Sequence, residues 1–270
     1  MVTCEELISF LEELAPKELA EEYDNVGLLI GSANKNIGRV LVCLDTDEWV
    51  AQEAVDKRAD MVLSHHPLIF KPVRQILTES VFGKTAMTFI QNNITLYATH
   101  TNFDSALGGL CDYLLTKICD CDVLGVLDGA DGSGIGRVAR LKSAVSMENL
   151  MRRIQEVLGM EHIRFVGDSQ RSIERIAICN GGGGDYVYNA QAAGADIYIS
   201  GDFKYHHARF AYENGMGLIE IPHYEAEIIF CEYFEKILNE RFGDKITIYR
   251  AEQNKNVWNN FEDEGSIKNL

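Results

Sequence analysis

Four short stretches of this chain carry side chains able to ligate a metal ion. His65-His66-Pro67 closes the apolar run MVLSHH (61–66), and Gly201-Asp202 closes a second run, IYISGD (197–202). His100-Thr-Asn-Phe-Asp104 and His223-Tyr-Glu-Ala-Glu227 share a His-x-x-x-carboxylate spacing, which sets an imidazole and a carboxylate on one side of a helical turn. Neighbouring strand residues point to opposite faces, so His65 and His66 can serve one centre only where the strand ends and the backbone turns. Pro67 favours an extended His66 and stops the strand there. Imidazole and carboxylate donors suit Zn, Mn, Fe or Co, and carboxylates commonly bridge paired ions. No cysteine belongs to the set, which argues against a closed structural zinc site and for a centre with room for water. Two ions roughly 3.5–4 Å apart would lower the pKa of water between them and hold both oxygens of a displacement. Each stretch alone is weak evidence, because most histidine pairs are ordinary surface or core residues. Their recurrence at strand ends makes the case.

Other chemistry-bearing residues are less specific. Gly181 to Gly184 with Asp185 lies between a strand and a helix, where backbone N–H groups could cradle an anion. It lacks the Lys-Ser/Thr of a P-loop and the glycine spacing of a dinucleotide fingerprint, so a tight turn beside the metal site is the better reading. His206-His207, with Lys204 and Tyr205, starts a helix just beyond Gly201-Asp202 and could support ligands or touch substrate. His162 has no evident partner and reads as structural.

These residues need strand ends to hold them, and the patterning supplies such ends. Thr3 and Glu6 form a capping box before Leu7, Ile8, Leu11 and Leu14 at helical spacing. VGLLIG (26–31), RVLVCLD (39–45), MVLSHH (61–66) and ITLYATH (94–100) read as strands, with helices over 47–58, about 80–92 and 105–118. Strands alternating with helices imply βαβ units and a largely parallel sheet. The Gly-rich segment 122–150 is harder to read; a helix near 146–158 and a strand at 161–166 follow it.

From Arg175 the first pattern returns. Residues 175–202 lie on 39–66 without a gap, and Arg, Cys, two Ala, Asp and Ser coincide. The two His-x-x-x-carboxylate stretches also correspond, each following a strand and leading into a helix. The chain is therefore expected to be α/β with two related halves, 1–125 carrying His65, His66 and Asp104, and 126–270 carrying Asp202, His223 and Glu227. In such folds ligands gather at the carboxyl ends of strands.

Bulk properties narrow the function. A net charge of −16, from 41 acidic and 25 basic residues, disfavours nucleic-acid or anionic-membrane binding. The N-terminal MVTCEELISFLEEL has no basic-then-apolar signal pattern, and no apolar run nears the ~20 residues of a membrane span. Seven scattered cysteines without a C-x-x-C pair fit a reducing cytoplasm, with Cys43 and Cys179 as small core residues.

EEYDNVGLLIG (21–31), LSHHPLIF (63–70), THTNFD (99–104), SGDFKYHHA (200–208) and PHYEAE (222–227) occur in this order. Together they make roughly residues 1–258 resemble the Nif-three-like dinuclear-metal proteins, the type 2 homologues of GTP cyclohydrolase I. The resemblance implies two similar α/β lobes with mixed, largely parallel sheets, two divalent ions between them, and ring-shaped homohexamers. It implies His65, His66, Asp104, His223 and Glu227 as metal ligands, with Glu227 bridging and His100 close enough to be a further ligand. The chain lacks length for the domain inserted in longer members, and Pro222 stands where a small residue is expected, so the loop before His223 is expected to shift. The expected activity is metal-dependent hydrolysis of a small molecule, a purine nucleotide such as GTP fitting best. Glu227 would bridge the ions and His206 or His100 would carry protons. A non-enzymatic metal-binding scaffold, and a nucleotide-binding module using Gly181–Gly184, are the alternatives.

Overall fold

The computed structural model describes residues 2–130 and 132–258; residues 259–270 of the expected second half lie outside the described residues. The first half runs β1 (Val2–Thr3), α1 (Cys4–Leu14), β2 (Gly27–Ile30), β3 (Asn36–Ile37), β4 (Arg39–Cys43), α2 (Glu48–Asp56) and β5 (Met61–Ser64). It continues through α3 (Val81–Gln91), β6 (Thr95–Ala98), α4 (Thr101–Ser105) and α5 (Leu110–Ile118). Thr3 accepts from the Glu6 amide at 3.1 Å, and the Glu6 carboxylate accepts from the Thr3 amide at 2.8 Å, closing the capping box that starts α1. The single helix expected over 105–118 is instead two. Gly108 takes φ +72°, and a side chain at Gly109 would collide with the Phe103 carbonyl, so the chain must turn between them.

The middle segment resolves into β7 (Cys121–Gly125), the short hairpin β8 (Asp128–Ala130) and β9 (Ser133–Ile135), and the long β10 (Arg137–Ser146). Then come α6 (Met147–Leu158), β11 (Arg164–Val166), β12 (Ser172–Ile178), α7 (Val187–Ala192), β13 (Ile197–Ser200) and α8 (Tyr205–Glu213). β14 (Gly217–Glu220), α9 (His223–Glu227), α10 (Ile229–Phe242) and β15 (Thr247–Arg250) complete the chain. No helix of the described residues is long and apolar enough to cross a membrane.

Two mixed sheets result, ordered β15-β4-β5-β6-β2 and β11-β14-β13-β12-β10-β7. The first is parallel except at β2. The second is parallel only along β12-β13-β14, because the strands of the Gly-rich middle and β11 add antiparallel. The sheets exchange strands across residue 125: β7 pairs in the second and β15 returns to the first.

The repeat extends to atomic detail. Val40 pairs with Met61 as Ile176 pairs with Ile197, the same register in both units. Asp60 accepts from the amides of Gly38 and Arg39, and Asp196 accepts from those of Glu174 and Arg175. Alternation sorts each strand between layers. Val40, Val42, Ile176 and Ile178 enter one core shared by both sheets with α1, α5, α6 and α10, while Leu41 and Cys43 face α2 and α3, and Ala177 and Cys179 face α7.

Arg137 on β10 is fully buried and fastens the segment after α4. Its Nε donates to Asp112 Oδ1 at 2.9 Å, and its remaining N–H groups reach the carbonyls of Gly134, Gly136, Ser105 and Ala106. All five donors of the guanidinium are thus used. Replacing Arg137 by Met strands one carboxylate and several carbonyls and should cost about 3–5 kcal/mol. A urea-unfolding midpoint unchanged from wild type would refute this role.

Candidate metal centre

The centre collects at the carboxyl ends of strands from both sheets. The β4–β5 ladder runs past its last strand residue, with the His65 and His66 amides donating to the Cys43 and Leu44 carbonyls. Both imidazoles are thereby delivered at the turn before Pro67. His100 caps α4, which carries Asp104, and α9 presents His223 and Glu227 one turn apart. Pro222 caps α9 at φ −58°, the value its ring imposes, and its carbonyl accepts from the Ala226 amide. The proline therefore serves as the cap of α9.

Glu227 lies at the middle, 3% exposed. Its Oε2 stands 2.9 Å from His66 Nε2 and 3.0 Å from His223 Nε2. Its Oε1 faces the other way, 3.9 Å from His65 Nε2 and 3.3 Å from the Asn180 amide nitrogen. Asp104 Oδ1 lies 3.6 Å from His65 Nε2 and accepts from Asn180 at 2.9 Å. One carboxylate thus divides its oxygens between two donor groups, His65 with Asp104 and His66 with His223. The rings of His65, His66 and His100 pack with centroids 5.1–5.4 Å apart, and His223 adjoins His66 at 5.5 Å.

Each imidazole is anchored from outside through Nδ1. His65 faces the Thr99 carbonyl at 2.9 Å, His66 faces Asp45 at 2.7 Å, His223 faces Asp202 at 2.8 Å, and His100 faces Asp24 at 2.9 Å. A carbonyl or carboxylate there holds a proton on Nδ1 and leaves Nε2 as the donor toward the centre, the usual support for a metal-ligating histidine. His65 Nε2 tests the fit most sharply: it is buried without a hydrogen-bond partner. A buried, unpaired nitrogen facing two carboxylates is costly unless an ion completes it. Ligating atoms of His65, His66 and His100, and separately of His66, His223 and Glu227, lie within 4.8 Å of one another.

In the metal-free protein the centre stores protons instead. Burial pulls the His66 imidazolium down, but its bonds to Asp45 and Glu227 outweigh that and raise its pKa to about 10. The Glu227 contact raises His223 to about 9 against its own burial. Burial alone would raise Glu227, yet the surrounding imidazoles hold it well below the usual carboxylate range. Asp104 is pushed up by desolvation and by Glu227, against the pull of His65. Asp24 is buried too, but bonds from His100 and Thr101 hold it at about 2.

Sequence-predicted residues divide cleanly. His65, His66, His100, Asp104, His223 and Glu227 come together. His206 does not: it is exposed on α8, and the described ring beside it is His207, with centroids 6.0 Å apart. His207 is buried, receives the Lys204 amide on Nδ1 and contacts Asp185 at 3.1 Å through Nε2, which fixes the start of α8. The Gly181–Gly184 turn lies against the centre, since side chains at Gly181, Gly182 and Gly184 would press on Glu227, Asp202 and His207. Asn180 and the outer carboxylates Asp24 and Asp45 were not singled out as site residues in the sequence; the signal they offered was a polar residue just past a strand or within a recurring stretch.

These features define a class: a mixed α/β protein whose two repeated strand–helix units deliver imidazoles and carboxylates to one buried, metal-type centre. Comparison with known proteins places it more narrowly. The chain belongs to the Duf34/NIF3 (NGG1p interacting factor 3) family, whose model matches residues 2–256. A Clostridium perfringens protein named GTP cyclohydrolase 1 type 2 homolog is 36% identical over 230 residues, 82% of this chain and 86% of that protein. The structure of the Staphylococcus aureus hypothetical protein SA1388 matches with TM-score 0.87 at 28% identity, covering 96% of this chain and 99% of that one. HcgD from Methanocaldococcus jannaschii matches with TM-score 0.80 at 28% identity, covering 93% and 98%.

Two outcomes follow from this geometry. Gly181 has φ +59°, and a methyl group there would collide with Glu227 Oε1, so Gly181→Ala should lower bound metal measured by elemental analysis; undiminished binding would contradict the packing. Because His66 and His223 are protonated at neutral pH in the metal-free protein, metal uptake should release protons, read by calorimetry in buffers of different ionisation enthalpy. The stability these raised pKa values contribute is complete below about 6.5 and fades as pH climbs through about 9 and 10. Metal-free protein should therefore melt lower at pH 10 than at pH 7.

Proposed function

We propose that the centre holds two divalent ions, Zn, Fe, Mn or Co, and hydrolyses a small-molecule substrate. The observation that carries this reading is the divided Glu227 carboxylate, with an unpartnered His65 Nε2 on one side and two imidazoles on the other. His65 and Asp104 would hold one ion, His66 and His223 the other, Glu227 both, with His100 at hand. When bound, such ions supply Lewis acidity and lower the pKa of water.

The chain's own residues do the rest. His223, His66 and His100 are respectively 40%, 26% and 18% exposed at their side chains, so one face of the centre is open to a substrate. That openness favours a reaction over a sealed scaffold. Asn180 fixes the inner oxygens of Asp104 and Glu227. Asp24 holds the His100 ring by Nδ1, so Nε2 can take a proton from water and return it to a leaving nitrogen. Opening a purine ring fits that sequence: water's oxygen goes to carbon, the carbon–nitrogen bond breaks, and the proton goes to nitrogen. GTP is the substrate suggested by the name of the Clostridium perfringens relative. The resemblance of the sequence to the Nif-three-like proteins suggests a homohexamer, which light scattering in solution would test.

Metal content and GTP turnover should be measured on wild type, Glu227→Ala and His100→Asn. We expect about two ions per chain in wild type, fewer in Glu227→Ala with turnover lost, and turnover down by roughly 10²–10⁴ with metal retained in His100→Asn. No bound metal after reconstitution would remove the centre. Two ions without GTP turnover would remove GTP as substrate.

A further inference from the structure

Two buried thiols stand directly behind the centre, and the proposed chemistry uses neither. Cys111 lies in the first turn of α5 and Cys179 just past β12, so each half of the chain supplies one. The contact with Cys111, together with burial, pushes the Cys179 thiol well above its ordinary range, and it stays protonated. Both thiols donate to the same residue, Asn180: Cys111 to the side-chain oxygen Oδ1 and Cys179 to the backbone carbonyl.

The surroundings hold both thiols still. Next to Cys111, Asp112 accepts from the Gly108 amide at 2.8 Å through Oδ2 and from Arg137 Nε at 2.9 Å through Oδ1, which fixes the start of α5. Cys111 therefore cannot swing away from Asn180 without breaking that clamp. On the other side the glycine turn closes over the second thiol, because a side chain at Gly183 would strike Cys179 Sγ.

Asn180 has two ways to face, and its neighbours select one. Its Nδ2 donates to Asp104 Oδ1 at 2.9 Å and to Glu227 Oε1 at 3.3 Å. Turned over, the amide would set its oxygen against two carboxylate oxygens and leave the Cys111 S–H without an acceptor. Thiol and carboxylates thus favour the same orientation, and buried hydrogen bonds linked in series strengthen one another. The reach of this chain of contacts is one-sided. Asp104 Oδ1 and Glu227 Oε1 are the two oxygens that face His65 Nε2, whereas Glu227 Oε2 faces His66 and His223.

We propose that Cys111 is a positioning residue for one of the two ions: through Asn180 it holds Asp104 Oδ1 and Glu227 Oε1 for the ion on the His65 side, and it leaves the ion of His66 and His223 unaffected. This deepens the metal reading given above and rests on it. The thiol is not itself a ligand. Its chemistry suits the place, because a cation there would neutralise the carboxylates that an ion needs, whereas a neutral donor orients them and leaves their charge available. The two ions are thereby held unequally, one by a dry chain of contacts reaching back to α5 and the other by histidines open to solvent.

The test is Co²⁺ binding to the metal-free full chain, followed by visible absorption, with ions per chain counted by elemental analysis. Cys111→Ala and Cys111→Ser lose nearly the same packing, and differ in one hydroxyl that can still donate to Asn180. Cys111→Ala should weaken one ion about tenfold and leave the other unchanged, so that the titration splits into a tight and a weak step. Cys111→Ser should restore most of the loss. In an Asn180→Leu background, which weakens the same ion, Cys111→Ala should add nothing, because the thiol acts only through that amide. Cys111→Val, which fills the position without a donor, serves if the alanine variant does not fold. Undiminished binding in Cys111→Ala, equal loss in the alanine and serine variants, weakening of both ions alike, or additive loss with Asn180→Leu would each overturn the role of Cys111 and leave the metal centre standing. A wild-type chain that takes up no Co²⁺ would overturn both. Failure of GTP hydrolysis would touch neither, because no arm depends on reaction.

Discussion

Glu227 is a carboxylate 3% exposed, and removing such a charge from water is affordable only if positive or donor groups surround it closely. Three imidazoles and the Asn180 amide provide them, and each must be aimed with sub-ångström care. That requirement explains the second ring of contacts: a carbonyl or carboxylate behind every central histidine, and Asn180 tying Asp104 to Glu227. It also explains why glycine occupies Gly181, where any side chain would strike Glu227 Oε1. The rest of the centre can be understood as the means of keeping one buried carboxylate satisfied.

The repeated frame meets that requirement unequally. β5 and β13 occupy matching places with matching register, yet one ends in His65-His66 and the other in Gly201-Asp202. The first unit therefore supplies imidazoles directly, whereas the second supplies Asp202 as an outer support and draws its inner ligands from α9. An asymmetric centre follows, dry around His65 and open around His223. Burial sharpens electrostatics on the dry side, and exposure on the other leaves His223 in contact with solvent. Two strand–helix units of matching register thus form two different walls of one centre.

Strand alternation and caps made much of the frame legible. Thr3 with Glu6 marks α1, and the Val40/Leu41/Val42/Cys43 alternation between two apolar layers marks β4 as a strand buried on both faces. The six residues that converge were also visible, because histidine and carboxylate types recur just past strand ends. Adjacent helical positions point about a quarter-turn apart, so of the His206-His207 pair the second entered the core and the first met solvent. The Gly-rich middle resisted reading because β10 alternates imperfectly across an irregularity between Arg140 and Val145, and its partners lie in both directions along the chain.

Residue types and spacing by themselves determined the α/β class, the internal repeat and the donor set, since these depend on local periodicity and on chemistry that each side chain carries alone. Pairings between distant residues belong to tertiary structure: β15 returning beside β4, Arg137 gathering the carbonyls after Asp104, Asp24 reaching His100 across 76 positions. So too does the division of Glu227 between two groups of ligands. No local pattern encodes which oxygen faces which imidazole, because that follows from how two sheets pack on a common core and leave a single carboxylate between their ends.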